Sequence, residues 1–258
     1  MVTTKQNSLL GVGVYSPREA ARYMRVNAQK FRRWIYGHGN RQPVFEPDIP
    51  REGAREIVTF LDFAQALYVQ DIRLNIAVPL QRIREAYYAA LNEYGVTHPF
   101  ARKYGVFVFG NLNDPRKCVL GLYPGEALGE EDETKEFLAE RAIQLTGKKK
   151  GNFLIHQVVQ EFSRRLEFSA EGVADEYVAF ESFGHRILMQ PDVRFGKPYI
   201  EGLVYEAETL ASAAEYEGGI SRAADLYETP ESAVRAAVEY MRELDREPHR
   251  IQLKTLSA

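Results

Sequence analysis

Residues 16–41, SPREAARYMRVNAQKFRRWIYGHGNR, contain two short capped helices around a tight turn and carry a concentrated positive charge. Ser16 is placed to cap a helix whose first position is Pro17 and whose third is Glu19. In such a Ser-x-x-Glu box, two orphan N–H groups find acceptors, and the missing N–H of proline costs nothing at the first position. Ala20, Ala21 and Met24 share one face, with Arg18, Arg22 and Arg25 largely outside it. Asn27 is placed to cap a second helix through Phe31, Trp34 and Ile35 to Gly37. Two helices joined by so short a turn must cross, and the pattern predicts a helix-turn-helix.

Between those ends stand seven basic residues, Arg18, Arg22, Arg25, Lys30, Arg32, Arg33 and Arg41, against the single acid Glu19. The local balance is +6 in a chain whose net charge is -3. With Phe31, Trp34 and Ile35 inward, the outer side of the second helix presents Gln29, Lys30, Arg32, Arg33 and Tyr36. A recognition helix needs that arrangement to reach bases and phosphates. Solvated basic faces are common, but caps, a short turn and this asymmetry of sign together favour double-stranded DNA as the partner. The expected contacts are Asn27, Gln29, Lys30, Arg32, Arg33 and Tyr36 in and beside the recognition helix, with Arg18, Arg22 and Arg41 on phosphates.

The chain has 258 residues, 45% hydrophobic and 27% charged, ordinary for a soluble globular protein and enough for two or three small domains. No apolar run approaches the roughly 18 residues of a membrane span, and the N-terminus lacks the pattern of a signal peptide, so a cytoplasmic location is expected. The single cysteine, Cys118, agrees with a reducing compartment and reads as a small core residue.

After the helix pair, Pro43, Pro47 and Pro50 break any helix and predict a loop or small β wing, with Ile57 and Val58 able to return as its second strand. Phe60, Phe63, Ala64, Leu67 and Ile72 then suggest one amphipathic helix. Leu80, Ile83, Tyr87, Ala90, Leu91 and Tyr94 suggest another that opens with Pro79. The order is helix, turn, helix, wing, helix, helix.

The segments YSPREAARYMRVNAQKFRRWIYG and TFLDFAQALYVQDIRLNIAVPLQRIREAYYAAL resemble the MerR-like winged helix-turn-helix at the N-terminus of a group of VapB-type antitoxins. ILMQPDVRFGKPYIEG with LASAAEYEGGISRAADLYETPESAVRAAVEYMREL is similar to the C-terminal module of unknown function encoded beside PIN-domain toxins. Such modules usually follow the glycine with threonine or histidine and an arginine; here Leu203 and Val204 follow Gly202. The resemblance implies an antitoxin of a type II toxin-antitoxin system. It would neutralise a PIN-domain ribonuclease toxin through its C-terminal half and repress its own operon by binding operator DNA.

Read from the residues alone, the C-terminal module begins with a hairpin or extended arm around Gly196, Pro198 and Gly202. Three helices follow, the first closing at Gly218–Gly219, the second starting near Ser221, the third capped by Thr229 with Pro230 at its first position. Residues 201–244 hold ten acids and three bases, a balance of -7 that repels phosphate and suits a protein partner. The tail from Asp245 is polar and reads as a frayed end or a strand-adding arm. In the middle, residues 104–109 and 118–123 read as strands around a turn at Asn113–Pro115, and residues 166–180 as a hairpin turning at Ala170–Gly172. A charged helix is expected between them.

The expected fold is α+β and predominantly helical: a MerR-like winged helix-turn-helix over 1–95, a central small α+β region over 96–184 that connects or dimerises, and a C-terminal β-hairpin plus three-helix, helix-turn-helix-like module over 185–258. A homodimer on a palindrome is expected, since one module covers little DNA. No catalytic site, metal or cofactor is indicated. The five histidines are scattered, Gly147–Asn152 lacks the phosphate-loop spacing, and the acids at 130–133 read as a solvated helix start. The rival reading is a free-standing MerR-like transcriptional regulator whose central region senses a small molecule; an adaptor that binds only protein is a weaker third.

Overall fold

A computed structural model describes residues 11–103, 105–110, 118–122, 143–147, 150–151 and 165–246. The fold is α+β, with seven helices and three small antiparallel sheets among the described residues. Strand β1 (Val14–Tyr15) leads into α1 (Pro17–Tyr23), whose start is the expected capping box. The Glu19 amide donates to Ser16 Oγ at 3.2 Å, and the Ser16 amide donates to Glu19 Oε2 at 2.8 Å. In α2 (Ala28–Tyr36), Asn27 Oδ1 accepts the Lys30 amide at 3.1 Å, and Gly37 ends the helix. Phe31, Trp34 and Ile35 are buried, each contributing roughly 1.5–3 kcal/mol of burial free energy.

The region expected as a wing is a loop over 37–57 with two isolated bridges, His38 to Arg41 and Glu52 to Arg55. The expected return strand forms, but with a different partner: β2 (Val58–Thr59) pairs antiparallel with β1, Tyr15 opposite Val58 and Val14 opposite Thr59. The three prolines remove amide donors from the loop, whereas β1 offers a complete backbone edge beside the buried Tyr15 and Val58. Helix α3 (Phe60–Asn75) follows, then α4 (Leu80–Tyr94); Pro79, expected as its first residue, is its cap, so the helix starts one residue later than expected. Gln70 Nε2 donates to the Met24 carbonyl at 3.0 Å and holds α3 under the end of α1.

A polar cluster anchors the loop to α3. The amides of Asp48 and Thr59 donate to the two Asp62 carboxyl oxygens at 3.1 Å, and the Asp62 amide donates to Thr59 Oγ1 at 3.1 Å. The Thr59 hydroxyl donates to Asp48 Oδ2 at 2.6 Å, and His98 Nε2 lies 2.5 Å from Asp48 Oδ1. Burial and the Asp48 charge push the Asp62 carboxyl up to about 7, against the pull of its two amide bonds. Asp48 stays below its usual value because the bonds from His98 and Thr59 outweigh its burial.

Strands β3 (Val106–Phe109), β4 (Val119–Leu122) and β5 (Ile143–Gln144) form one antiparallel sheet, near where two strands were expected. Strands β6 (Leu166–Phe168), β7 (Ala174–Ser182), β8 (His185–Met189) and β9 (Tyr199–Ile200) form a second. The expected 166–180 hairpin is β6–β7, and the division at 184/185 falls in the tight β7–β8 turn, so this sheet spans both sides of it. Helices α5 (Ala207–Tyr216), α6 (Ile220–Leu226) and α7 (Glu231–Asp245) complete the fold. Gly219, not a serine, stands at the α6 cap. Thr229 does not cap α7: Pro230 holds that position, and the Thr229 hydroxyl is buried without a partner. The turn at 113–115, the expected charged helix, the acids at 130–133, Lys148, Lys149 and Asn152, and the tail beyond 246 lie outside the described residues.

One continuous core joins the N-terminal helices to this C-terminal sheet and its helices. Its seam is aromatic: Tyr15 packs on Tyr23 and Phe63 with ring centroids 6.0 and 5.5 Å apart, and Phe63 meets Tyr177 edge-on at 5.5 Å. The Tyr15 hydroxyl donates to the Gly196 carbonyl at 2.8 Å. A smaller core of Ala213, Ala223, Ala224 and Val234 lets α5, α6 and α7 approach closely.

Two expectations follow from this packing. Gly196 has φ +85°, and a Cβ there would lie 2.2 Å from the Tyr15 hydroxyl, whereas at Gly202, φ +75°, a Cβ meets nothing within 4 Å. Gly196→Ala should therefore cost about 2 kcal/mol or more in urea denaturation and Gly202→Ala about 1 kcal/mol; equal losses would remove Tyr15 from the seam. For Asp62, the folded value of about 7 exceeds the ordinary 3.8, so the native state binds the extra proton. The associated stability is present below about pH 4 and is lost as pH rises through about 7, at most about 4 kcal/mol. The melting temperature of the wild type relative to Asp62→Asn should fall from pH 5 to pH 8; a constant difference would mean that Asp62 stays ionised throughout.

Candidate nucleic-acid interface

The outer side of α2 is cationic and solvent-facing. Gln29, Lys30, Arg32 and Arg33 are exposed above the buried Phe31 and Trp34. The Lys30 ammonium sits 5.3 Å from the centre of the Trp34 ring, and its pKa is lowered by partial burial and then by the charge of Arg73 on α3. The helix is tied to the loop beneath it. Arg32 Nη2 bonds to Glu56 Oε1 at 2.6 Å, and the same oxygen receives Arg51 Nε at 3.3 Å. The bond and charge of Glu56 hold the Arg32 guanidinium more firmly protonated. Tyr36 donates its hydroxyl to the Ile57 carbonyl at 3.0 Å, and burial with the nearby Glu56 charge pushes its pKa up to about 12.

Two further groups of cations flank this face. Arg41 is exposed at the first bridged turn, and Arg84 on α4 donates Nε to the carbonyls of Gln42 at 3.0 Å and Pro43 at 3.2 Å. Burial and the Arg41 charge lower the Arg84 pKa, as expected where like charges gather. At the second bridged turn, Arg51 and Arg55 are exposed on either side of Gly53 and Ala54. Arg51, Arg55, Arg73 and Arg84 were not among the residues expected from sequence. The pattern Arg-Glu-Gly-Ala-Arg is a turn signal with basic ends and was available; Arg73 and Arg84 depend on how α3 and α4 pack against α2.

The basic row on α1 divides. Arg18 is exposed. Arg22, expected on phosphate, instead bonds to Glu208 of α5 at 3.2 Å and Asp245 of α7 at 3.1 Å. Burial works against its charge, but these two bonds more than offset that and raise its pKa. Arg25, in the turn with φ +55°, bonds to Glu243 of α7 at 3.2 Å, while its Nε and Nη2 are buried without partners. An arginine already paired within the chain releases few counterions from DNA. Asn27 spends its side-chain oxygen on the α2 cap and Tyr36 its hydroxyl on the loop, so both position the helix.

The geometry offers amide and guanidinium donors on one helix face, with exposed arginines on the loop that follows it. Such side chains bond base edges in a major groove, and the flanking cations suit phosphates. Among the described residues no three His, Cys, Asp or Glu side chains converge to hold a metal ion, and no helix is long and apolar enough to cross a membrane. Cys118 is buried.

No curated protein matches the chain. Among solved structures, the crystal structure of Rv2018 from Mycobacterium tuberculosis is similar, with a TM-score of 0.57 and 18% sequence identity, covering 89% of this chain and 99% of that one. At that identity the likeness speaks for the fold. Residues 13–87, which run from just before β1 into α4, match the family described as "Putative DNA-binding HTH domain", and the N-terminal part of this chain is a helix-turn-helix domain.

Proposed function

We propose that this chain is a sequence-specific DNA-binding repressor and the antitoxin of a type II pair, neutralising a PIN-domain ribonuclease and repressing its own operon. The observation that carries the DNA half is the exposed cationic face of α2, bracketed by Arg41 and the Arg51–Arg55 turn while most C-terminal acids lie on other elements. Gln29, Lys30 and Arg33 are the base-reading side chains; Arg41 and Arg55 contact phosphates, while Arg51, like Arg32, is paired with Glu56. Arg32 adds positive charge but chiefly holds the loop through Glu56. The antitoxin half is supported by the resemblance of both ends of the chain to VapB-type antitoxins and by the acidity of residues 201–244. A homodimer on a palindromic operator supplies the contact area that one such domain lacks.

The test is fluorescence anisotropy with a duplex taken from upstream of the gene, repeated over a range of salt. Arg33→Ala should weaken binding about tenfold and reduce the salt slope by about one, with thermal stability unchanged. Arg22→Ala should cost less than about 1 kcal/mol in stability and leave DNA affinity nearly as it was, because that charge is already neutralised by two largely exposed acids. The opposite pattern would move the phosphate contacts to α1 and overturn this assignment.

A further inference from the structure

The cationic side of α2 is bordered by a carboxylate. At about 3.6 residues per turn, Gln29 and Arg33 lie in the middle of the exposed face, Lys30 toward one flank, and Arg32 and Tyr36 together on the other. That second flank is where the loop returns. The Tyr36 hydroxyl holds the Ile57 carbonyl at 3.0 Å, and Val58 and Thr59 then pair with β1, so the backbone after Glu56 is tied to the helix. Before it, Glu52 and Arg55 close a turn through two backbone bonds, and Arg51 Nε reaches the Gly53 carbonyl at 3.1 Å. Glu56 therefore projects from a short segment held at both ends. Its side chain is 11% exposed, whereas those of Arg32 and Arg51, which it binds through one oxygen at 2.6 and 3.3 Å, are 48% and 51% exposed.

Such a pairing resists being undone. A phosphate that recruited either arginine would leave a sheltered carboxylate short of a partner and close to an anion of its own sign. Glu52, on the same turn, is exposed and pairs with no cation among the described residues, so it constrains no arginine. Phosphate contacts supply affinity for any duplex, and each one withheld makes that affinity smaller and its salt dependence shallower; base contacts are left to decide the sequence. We infer that Glu56 is a specificity-determining residue for DNA binding. It withholds Arg32 and Arg51 from phosphates, which keeps the hold on arbitrary sequence weak and lets Gln29, Lys30 and Arg33 set the preference. This rests on the reading of the α2 face as the DNA-binding surface.

The experiment uses the full chain and two labelled duplexes, one of random sequence and one that the wild type selects from a random pool, with anisotropy followed over a range of salt. Glu56→Gln keeps the size of the side chain and a carbonyl oxygen for Arg32. It should bind the random duplex about tenfold more tightly at about 50 mM salt, with a slope steeper by about one to two, and gain less on the selected duplex. Adding Arg32→Ala to Glu56→Gln should reverse most of that change. Glu52→Gln removes the same charge but frees no arginine, and should alter the slope little. Arg51→Ala, measured with Glu56 intact, should keep the wild-type slope. An unchanged slope in Glu56→Gln, an equal change in Glu52→Gln, or a slope shallower by about one in Arg51→Ala overturns the assignment while the DNA reading stands. A pool from which no sequence is enriched leaves no preference for Glu56 to set and overturns it too. If the wild type binds no duplex at all, both readings fall.

Discussion

The tyrosine at position 15 ties the two ends of this chain together. Its ring is buried between Tyr23 and Phe63, and its hydroxyl crosses 181 residues of sequence to reach the Gly196 carbonyl. Burial holds that hydroxyl protonated, so it remains a donor at any physiological pH. Because Tyr15 also belongs to β1, the same residue sets the register of Val58, the entry to α3 and the position of the strained 194–196 turn. The helix-turn-helix is thus built onto the C-terminal sheet and does not hang from it by a linker.

What was legible in the sequence was local. The caps at Ser16 and Asn27, the inward set of Phe31, Trp34 and Ile35, and the 166–180 hairpin all depend on contacts within a few residues, where type and spacing dictate geometry. Partners far apart in sequence were not legible. Nothing near Val58 shows that its strand partner precedes α1, and nothing near Arg22 shows that Glu208 and Asp245 will reach it. The acidity of residues 201–244 was plain, but part of it serves an intramolecular contact.

The pairing of Arg22 and Arg25 with α5 and α7 also changes how the helix-turn-helix is to be understood. Exposed ion pairs contribute little, and Arg22 is of that kind. Arg25 and Glu243 are more sheltered, and with two guanidinium nitrogens unpartnered the loss of Glu243 would leave a charge stranded. These contacts fix orientation more than they add stability. They hold α1 as a spacer between the cationic helix and the acidic helices.

That separation gives the molecule an electrical polarity. With the Arg22–Glu208 and Arg25–Glu243 pairs set aside, a balance of +4 over residues 16–41 faces one of -5 over residues 201–244, while the net charge of -3 makes the whole chain weakly repelled by a polyanion at long range. Within a Debye length of about 8–10 Å the dipole takes over and turns the cationic end toward a polyanion before any atom touches. Encounters in the wrong orientation are turned away instead of being held unproductively. For such a molecule, ionic strength governs how it faces its target as well as how tightly it binds.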